Sequence, residues 1–397
     1  MATKKGVWNL QQVRDKQLQS LWDYQIGEMY AWGNNTYGTL AQNDRGPGNS
    51  TARSSPTQVP GTNWASTELN LYRMTVSEAE YLAIKSDGTL WSWGDGGEGA
   101  LGHNNRTDYS SPTQIGSGTD WYRVENGPAT QSRHHAIKTD GTLWSWGSNT
   151  SGCLGINQPA NVQYSSPTQV PGTTWKEVSN SENLFAGIKT DGTLWICGDN
   201  NDGQQMNGQP SNVHISSPVQ VPGTDWDHVY SGKYAYWVMK TDKTLWNWGY
   251  NGKGSLGHNQ QGNSLTSPHQ LPGTWSQLSG GSYITAGIKT DGTLWMWGDN
   301  NQGAIAQNDS HDAGNTGYSS PVQIPGTDWI WVSCSSNALC TYALKSDNTL
   351  WAWGGNPGGS LGVNSVNNGY SSPVQIPGTD WGGVVGGYGG AVAFKNL

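Results

Sequence analysis

Ile137-Lys138-Thr139-Asp140-Gly141-Thr142-Leu143-Trp144-Ser145-Trp146-Gly147 decides the fold, because it recurs almost verbatim along the chain. It begins again at Ile84, Ile188, Met239, Ile288 and Leu344 and ends in Gly94, Gly198, Gly249, Gly298 and Gly354. Asp-Gly between two apolar runs predicts a hairpin turn, since glycine takes a positive φ without steric cost. Lys243 and Asn348 replace that glycine twice; asparagine tolerates the geometry, whereas lysine there costs roughly 1 kcal/mol. In the strand that follows, Leu-Trp-x-Trp puts both tryptophans on one face and leucine on the other. Both faces are then apolar, as a sheet packed between two neighbouring sheets requires. Cys197 stands for the second tryptophan in one repeat and predicts a smaller contact there. Repeats of about 50 residues made of short strands point to propeller blades rather than helical arrays.

Two further markers travel with the repeat. Ser-Ser-Pro, once Thr-Ser-Pro, carries Pro56, Pro112, Pro167, Pro218, Pro268, Pro321 and Pro373. It is expected to open a short edge strand, where proline loses no ladder bond. Pro-Gly-Thr-x-Trp then turns the chain into the next strand, with Trp64, Trp121, Trp175, Trp226, Trp275, Trp329 and Trp381, the motif being altered at Gly116-Ser117-Gly118 and Thr274-Trp275. Each marker thus occurs seven times. Trp32-Gly33 has no Ile-Lys strand before it, and Ala391-Val392-Ala393-Phe394-Lys395 has no Trp-Gly after it. Pairing the two completes a seventh blade and removes the open edges. The expectation is an all-β, seven-bladed β-propeller over residues 27–397, closed by pairing of N- and C-terminal strands. A short helical or extended segment, residues 1–26, precedes it.

Trp32-Gly33-Asn34-Asn35-Thr36-Tyr37-Gly38-Thr39-Leu40, and Trp146 to Gly155 likewise, resemble the regulator-of-chromosome-condensation repeat. The resemblance covers residues 27 to 397 and implies a seven-bladed propeller. It leaves function open, because this propeller serves exchange factors, inhibitors and adaptors. The wording Asp-Gly-Thr-Leu-Trp-x-Trp-Gly is similar to the prokaryotic and viral branch.

Composition narrows the function classes. The chain has 397 residues, 23 Trp, 17 Tyr and 56 Gly, with 13 % charged residues and a net charge of −8. Aromatics supply the apolar area that scarce aliphatics do not. No run of about 18 apolar residues occurs, so no membrane insertion is expected. The first ten residues lack the continuous apolar stretch of a secretory signal. Nucleic-acid binding needs a basic surface, and seven of the 21 Lys and Arg are the repeat lysines spread round the ring. No nucleic-acid partner is expected, and the chromatin and exchange activity of the best-known family member has no residues here to carry it.

No catalytic set, metal site or cofactor is expected either. The eight histidines show no paired ligand spacing, and His134 and His135 should point to opposite faces of a strand. Gly94 to Gly99 mimics a phosphate loop but opens no helix. Asn43-Asp44, Asp199-Asn200 and Asn308-Asp309 read as turn chemistry rather than calcium ligands. Of four cysteines, Cys334 and Cys340 could face each other across a hairpin.

Residues 1–26 are not a repeat. Leu10, Val13, Leu18 and Leu21 make an approximate helical stripe beside Trp8, Arg14 and Trp22. So short a helix needs a surface to pack on, either its own propeller or an assembly. Lys5-Gly6-Val7-Trp8-Asn9-Leu10-Gln11-Gln12-Val13-Arg14-Asp15-Lys16 is similar to the opening of structural proteins of tailed phages, marine and cyanobacterial ones especially. That resemblance implies a non-enzymatic virion component of tail, fibre or capsid, assembled in the host cytoplasm. Trp8, Leu10, Val13, Arg14, Leu18, Leu21 and Trp22 would form the attachment site to other virion proteins. Variable loops such as 34–53 and 299–318, rich in Asn, Gly and Gln, would meet a host-surface glycan or receptor. The alternative is a protein-binding propeller acting as inhibitor or adaptor, with Trp and Tyr concentrated at one mouth of the ring. A third possibility, a glycan depolymerase, needs paired carboxylates about 5–10 Å apart, and no repeat carries an unusual acidic pair.

Overall fold

The computed structural model describes residues 26–46, 50–65, 72–77, 79–125, 132–200, 214–262, 264–309, 317–335, 339–366 and 369–395. They form seven antiparallel sheets arranged as the blades of a propeller, each blade running from an inner to an outer strand. Blade 1 comprises Met74–Val76, Glu80–Ile84, Leu90–Gly94 and Tyr109–Gln114, and blade 2 comprises Trp121–Glu125, Arg133–Lys138, Leu143–Ser148 and Gln163–Gln169. Blades 3 to 6 begin at Trp175, Trp226, Trp275 and Trp329 in the same way. Blade 7 takes its two inner strands, Trp381–Gly386 and Gly390–Lys395, from the C-terminal side of the chain. Its outer two, Ile26–Gly33 and Arg53–Gln58, come from the N-terminal side. Pairs run from Glu28 opposite Lys395 to Gly33 opposite Gly390, so the expected closure of the ring by N- and C-terminal strands is present.

The core is divided among the joints. Seven apolar clusters each lie between two consecutive blades, the last between blades 7 and 1. Alternation along the strands explains this. In blade 3, Ala186 packs toward blade 4 while Phe185 packs toward blade 2. The second tryptophan of the repeat is fully buried, and its indole N–H donates to a carbonyl of the preceding blade's loop. Trp146 Nε1 reaches Ala100 O at 2.7 Å and Trp353 Nε1 reaches Ala304 O at 3.0 Å. The first tryptophan on the same face is only half-buried. Where Cys197 replaces the second tryptophan, Phe185 fills the joint, 5.0 Å from His135 and 5.7 Å from Trp175 between ring centres.

The hairpin turns adopt the left-handed backbone that the sequence requires. Gly141 has φ +77°, and the replacements Lys243 and Asn348 take +66° and +64°. Lys243 Nζ also lies 3.0 Å from Asp227 Oδ2, which offsets part of the strain. The prolines, expected at strand starts, instead sit inside the outer strands. Gly94 pairs with Tyr109 and Ser92 with Thr113, so Ser110, Ser111 and Pro112 bulge opposite Trp93. At such a bulge no ladder N–H is called for, so proline fits there as well as at a strand start.

The loops after each third strand are less free than their variable length suggests. Asn149 Oδ1 accepts from Leu154 N at 3.0 Å while its Nδ2 donates to Pro159 O at 2.9 Å. Asn35, Asn251, Asn300 and Asn356 repeat this staple. Further on, a left-handed asparagine latches onto the next blade: Asn308 N donates to Ser371 O at 2.8 Å, and Ser372 Oγ donates to Asn308 Oδ1 at 3.2 Å. The same latch uses Asn43, Asn104, Asn157, Asn259 and Asn364. Cys334 and Cys340 do not face each other. Thr341 is the residue opposite Cys334, and all four cysteines are free and buried.

Candidate functional site

The repeat lysine, read in the sequence only as an evenly spread charge, has a fixed partner in every blade. Its ammonium lies between the tryptophan of the Pro-Gly-Thr-x-Trp turn, which opens the inner strand in blades 2 to 7, and the first aromatic ring of the third strand. Lys189 is 4.9 Å from the Trp175 ring centre and 4.1 Å from that of Trp195. Lys289 sits 5.4 and 3.9 Å from Trp275 and Trp295, and in blade 7 Lys395 uses Trp381 and Tyr30. The β-register produces the pairing, since Trp175 stands directly opposite Lys189. The turn fixes the other ring. Asp191 Oδ1 accepts from Thr193 N and Oγ1, and Thr193 Oγ1 accepts from Trp195 Nε1 at 2.8 Å. These hydrogen bonds from Thr193 hold the Asp191 carboxyl below its ordinary pKa.

Inside this crown lies the axial channel, whose wall is the seven inner strands. A cavity of about 130 Å³ lies on it, lined by Tyr72, Glu177, Tyr230, Gln277 and Trp331 together with Ser179, Ser279 and Ser333. In blades 3, 5 and 6 the second residue after the opening tryptophan reaches the backbone of the following blade. Glu177 Oε1 accepts from Val229 N at 3.1 Å, Gln277 Oε1 accepts from Val332 N at 3.0 Å, and Trp331 Nε1 donates to Val384 O at 2.9 Å. These side chains differ from blade to blade, so they give the mouth a distinct character in each sector.

Blades 2 to 4 carry charge. Arg123 Nη2 lies 3.4 Å from Glu177 Oε2, and His228 Nδ1 lies 3.0 Å from the same oxygen. Asp227 meets Lys176 at 2.7 Å and Lys243 at 3.0 Å. Burial alone would raise the Glu177 pKa, but Arg123 and His228 outweigh it and hold the carboxyl below its usual range. Asp227, likewise opposed by partial burial, is brought down to about 2 by Lys176 and Lys243. Blades 6, 1 and 2 carry aromatic and apolar groups. Tyr72 and Trp331 meet edge to face at 6.2 Å, and the Arg123 guanidinium stacks 3.7 Å from the Tyr72 ring centre. Tyr122 is 42 % exposed and Ile330 50 %. The composition of this mouth escaped the sequence reading. The signal was available at the first two positions after each opening tryptophan, Tyr122-Arg123, Lys176-Glu177, Asp227-His228 and Ile330-Trp331.

The seven attachment candidates, Trp8, Leu10, Val13, Arg14, Leu18, Leu21 and Trp22, lie outside the described residues. His134 and His135 are both buried on the second strand of blade 2, where burial and then Arg133 push each pKa down to about 3. Among the described residues no three His, Cys, Asp or Glu side chains gather closely enough to hold a metal ion, and no helix is long and apolar enough to cross a membrane. The Gly94–Gly99 segment forms a short turn in which Gly96 N donates to Asp108 Oδ1 at 3.0 Å. Two of the three Asn-Asp pairs join the staple, with Asn35 Nδ2 donating to Asp44 Oδ1 and Asn300 Nδ2 to Asp309 Oδ1, both at 2.8 Å.

The model of the RCC1-like domain matches residues 28–393. Among curated proteins, the Arabidopsis thaliana ultraviolet-B receptor UVR8 is 27 % identical over 299 residues, covering 74 % of this chain and 67 % of the receptor. The human E3 ubiquitin-protein ligase HERC2 is 28 % identical over 209 residues, 51 % of this chain, and the match spans only 4 % of that ligase. Among solved structures, Prp20p from Saccharomyces cerevisiae superposes with a TM-score of 0.79 at 17 % identity, covering 94 % of this chain and 92 % of its own. Human WBSCR16 gives 0.74 at 18 % identity, over 94 % and 99 %. At these identities the superpositions establish the fold alone.

Proposed function

The chain belongs to the RCC1-like domain family, and on that premise we propose that it is a non-catalytic binding and display propeller of a tailed-phage particle. In this reading residues 1–26 join it to other virion proteins, and the ring presents a recognition surface toward a host-surface glycan or receptor. One observation carries the non-catalytic part. The polar side chains that recur in the repeat are engaged in holding the ring: lysine between two indoles, aspartate in its turn, asparagine in its staple or latch. A scaffold stitched in this way is rigid, which suits presentation of a surface. The particle reading is supported by the similarity of residues 5–16 to phage structural proteins. Mass spectrometry of purified particles tests it, together with a chain lacking residues 1–26. The shortened chain is expected to be missing from particles, and its incorporation at normal occupancy would overturn the attachment role.

The channel mouth favours a second reading, a protein-binding inhibitor or adaptor. Tyr72, Tyr122, Ile330 and Trp331 concentrate large apolar side chains in one sector, the arrangement expected of a docking surface, where aromatics dominate binding energy. Titration of a candidate soluble partner against the chain and against Trp331→Ala tests it. Loss of about 2 kcal/mol or more of binding is expected for the variant, and unchanged affinity would remove the mouth from the interface.

A further inference from the structure

Tyr72-Arg73 of blade 1 recurs as Tyr122-Arg123 in blade 2, and the two pairs interlock at the mouth. The Arg123 guanidinium lies 3.7 Å from the Tyr72 ring centre, and that of Arg73 lies 5.8 Å from the Tyr122 ring centre. Register fixes the level of Arg73. Ile84 N donates to Arg73 O, just as Glu177 stands opposite Ile188 in blade 3, so Arg73 is the blade 1 counterpart of Glu177, Gln277 and Trp331. The carboxylates of the charged sector are spent, Glu177 on Arg123 and His228, and Asp227 on Lys176 and Lys243. Arg123 thus has its counter-charge. Among the described residues no carboxylate pairs with Arg73, and the contact with Tyr122 consumes none of its N–H donors. Its side chain is half-buried, and burial pulls its pKa below the ordinary value with only Tyr122 opposing. Blade 7 has Gly382-Gly383 at these positions, and Tyr72 of blade 1 and Trp331 of blade 6 meet across that gap.

We propose that this sector docks an acidic side chain of a partner protein. The partner's carboxylate bonds to the Arg73 guanidinium, and a neighbouring apolar side chain packs against Tyr72, Tyr122 and Trp331. Charge complementarity selects this occupant. A guanidinium offers paired N–H donors that match a carboxylate, and the pairing restores to Arg73 the stabilisation that partial burial removes. Tyrosine, tryptophan and arginine are also the residue types that dominate binding energy in protein interfaces. Tyr122 is exposed for contact, and Trp331 is held in place by its bond to Val384 O. The inference rests on the reading of the mouth as a docking surface and adds the chemistry of what docks there.

A displayed library of random peptides, selected on the full chain, supplies the probe. Enriched peptides are expected to carry Asp or Glu beside an apolar residue, and enrichment without acids would overturn the proposal. A synthetic peptide from that set is then titrated against the parent, Arg73→Gln and Trp331→Ala, with folding checked by circular dichroism. Arg73→Gln is expected to weaken binding about tenfold or more. Exchanging the peptide's acid for its amide leaves the chain untouched; it is expected to cost as much on the parent and little on Arg73→Gln, because the two groups form one contact. Additive losses would overturn the proposal. Weaker binding in Trp331→Ala with none lost in Arg73→Gln would keep the docking reading and reject the acidic partner, and no loss in either variant would overturn both. Sialyllactose, a carboxylate-bearing glycan, is the last probe. Arg73-dependent binding of it in place of acidic peptides would assign the site to a glycan and overturn the proposal.

Discussion

Lys289 shows what a single residue of the repeat contributes. Its ammonium stands 3.9 Å from the Trp295 ring centre and 5.4 Å from that of Trp275, and its stem covers the same indoles. Lys289→Met keeps the stem and removes the cation. The substitution is expected to lower stability by about 1 kcal/mol, read as a shift of the urea midpoint at constant slope. Glu80 makes the opposite case. It occupies a site in the second strand where blade 3 has Leu184 and blade 5 has Ile284. Burial raises its carboxyl pKa to about 7, with hydrogen bonds from Ser132 and Ser77 countering only in part. A folded-state pKa above the ordinary 4.5 means that the folded protein binds this proton more tightly than the unfolded chain. The ionised group therefore costs nothing below about pH 4.5, and its cost grows until the pH passes about 7. Glu80→Gln is expected to match the parent near pH 4 and to exceed it by about 3 kcal/mol at pH 8. Denaturant curves across that range check the sign, and a difference that shrinks with pH would refute it.

At the scale of elements, the joints are set by close approach of loop to strand. Gly359, in the loop of blade 6, has φ +77°, and a Cβ there would lie 2.6 Å from Ser54 Cα in the outer strand of blade 7. Gly116 also has a positive φ, +59°, but nothing lies within 4 Å. Gly116→Ala is expected to cost about 1 kcal/mol from backbone strain alone. Gly359→Ala is expected to cost about 3 kcal/mol or more, because the blade interface must shift as well. Thermal unfolding of the two variants side by side separates strain from packing, and equal losses would show that the loop can retreat. The same comparison explains why loop length varies while the latch asparagines do not: the insertions fall outside the stapled segment.

Over the whole molecule, stability depends on the ring being complete. The outer strands Ile26–Gly33 and Arg53–Gln58 of blade 7 reach the inner wall only through Gly390–Lys395. Removing residues 390–397 is expected to open the joint, to lower the melting temperature by on the order of 10 °C and to broaden the transition seen by calorimetry. A single transition at the parent temperature would mean that the joints hold without closure. The channel mouth is also a property of the whole ring, since residues from all seven blades line its cavity. No one repeat contains the site.

The sequence by itself determined the blade count, the hairpin turns and the closing partner strands. Each of these follows from local rules that repeat: a left-handed turn residue, a two-residue alternation, and a strand lacking its neighbour at either end. It also marked Cys197 as a smaller contact, although not that Phe185 fills the joint. Tertiary structure decided the rest, because the remaining features depend on register between strands that are distant in sequence. The repeat lysine looked like scattered charge until Trp175 was placed opposite Lys189. The prolines moved from strand starts to bulges because the outer strand runs back past Pro112 to meet Gly94 at Tyr109. The mouth residues are spaced about one blade apart in the chain, from Tyr72 to Trp331, and a ring alone brings them within reach of one another.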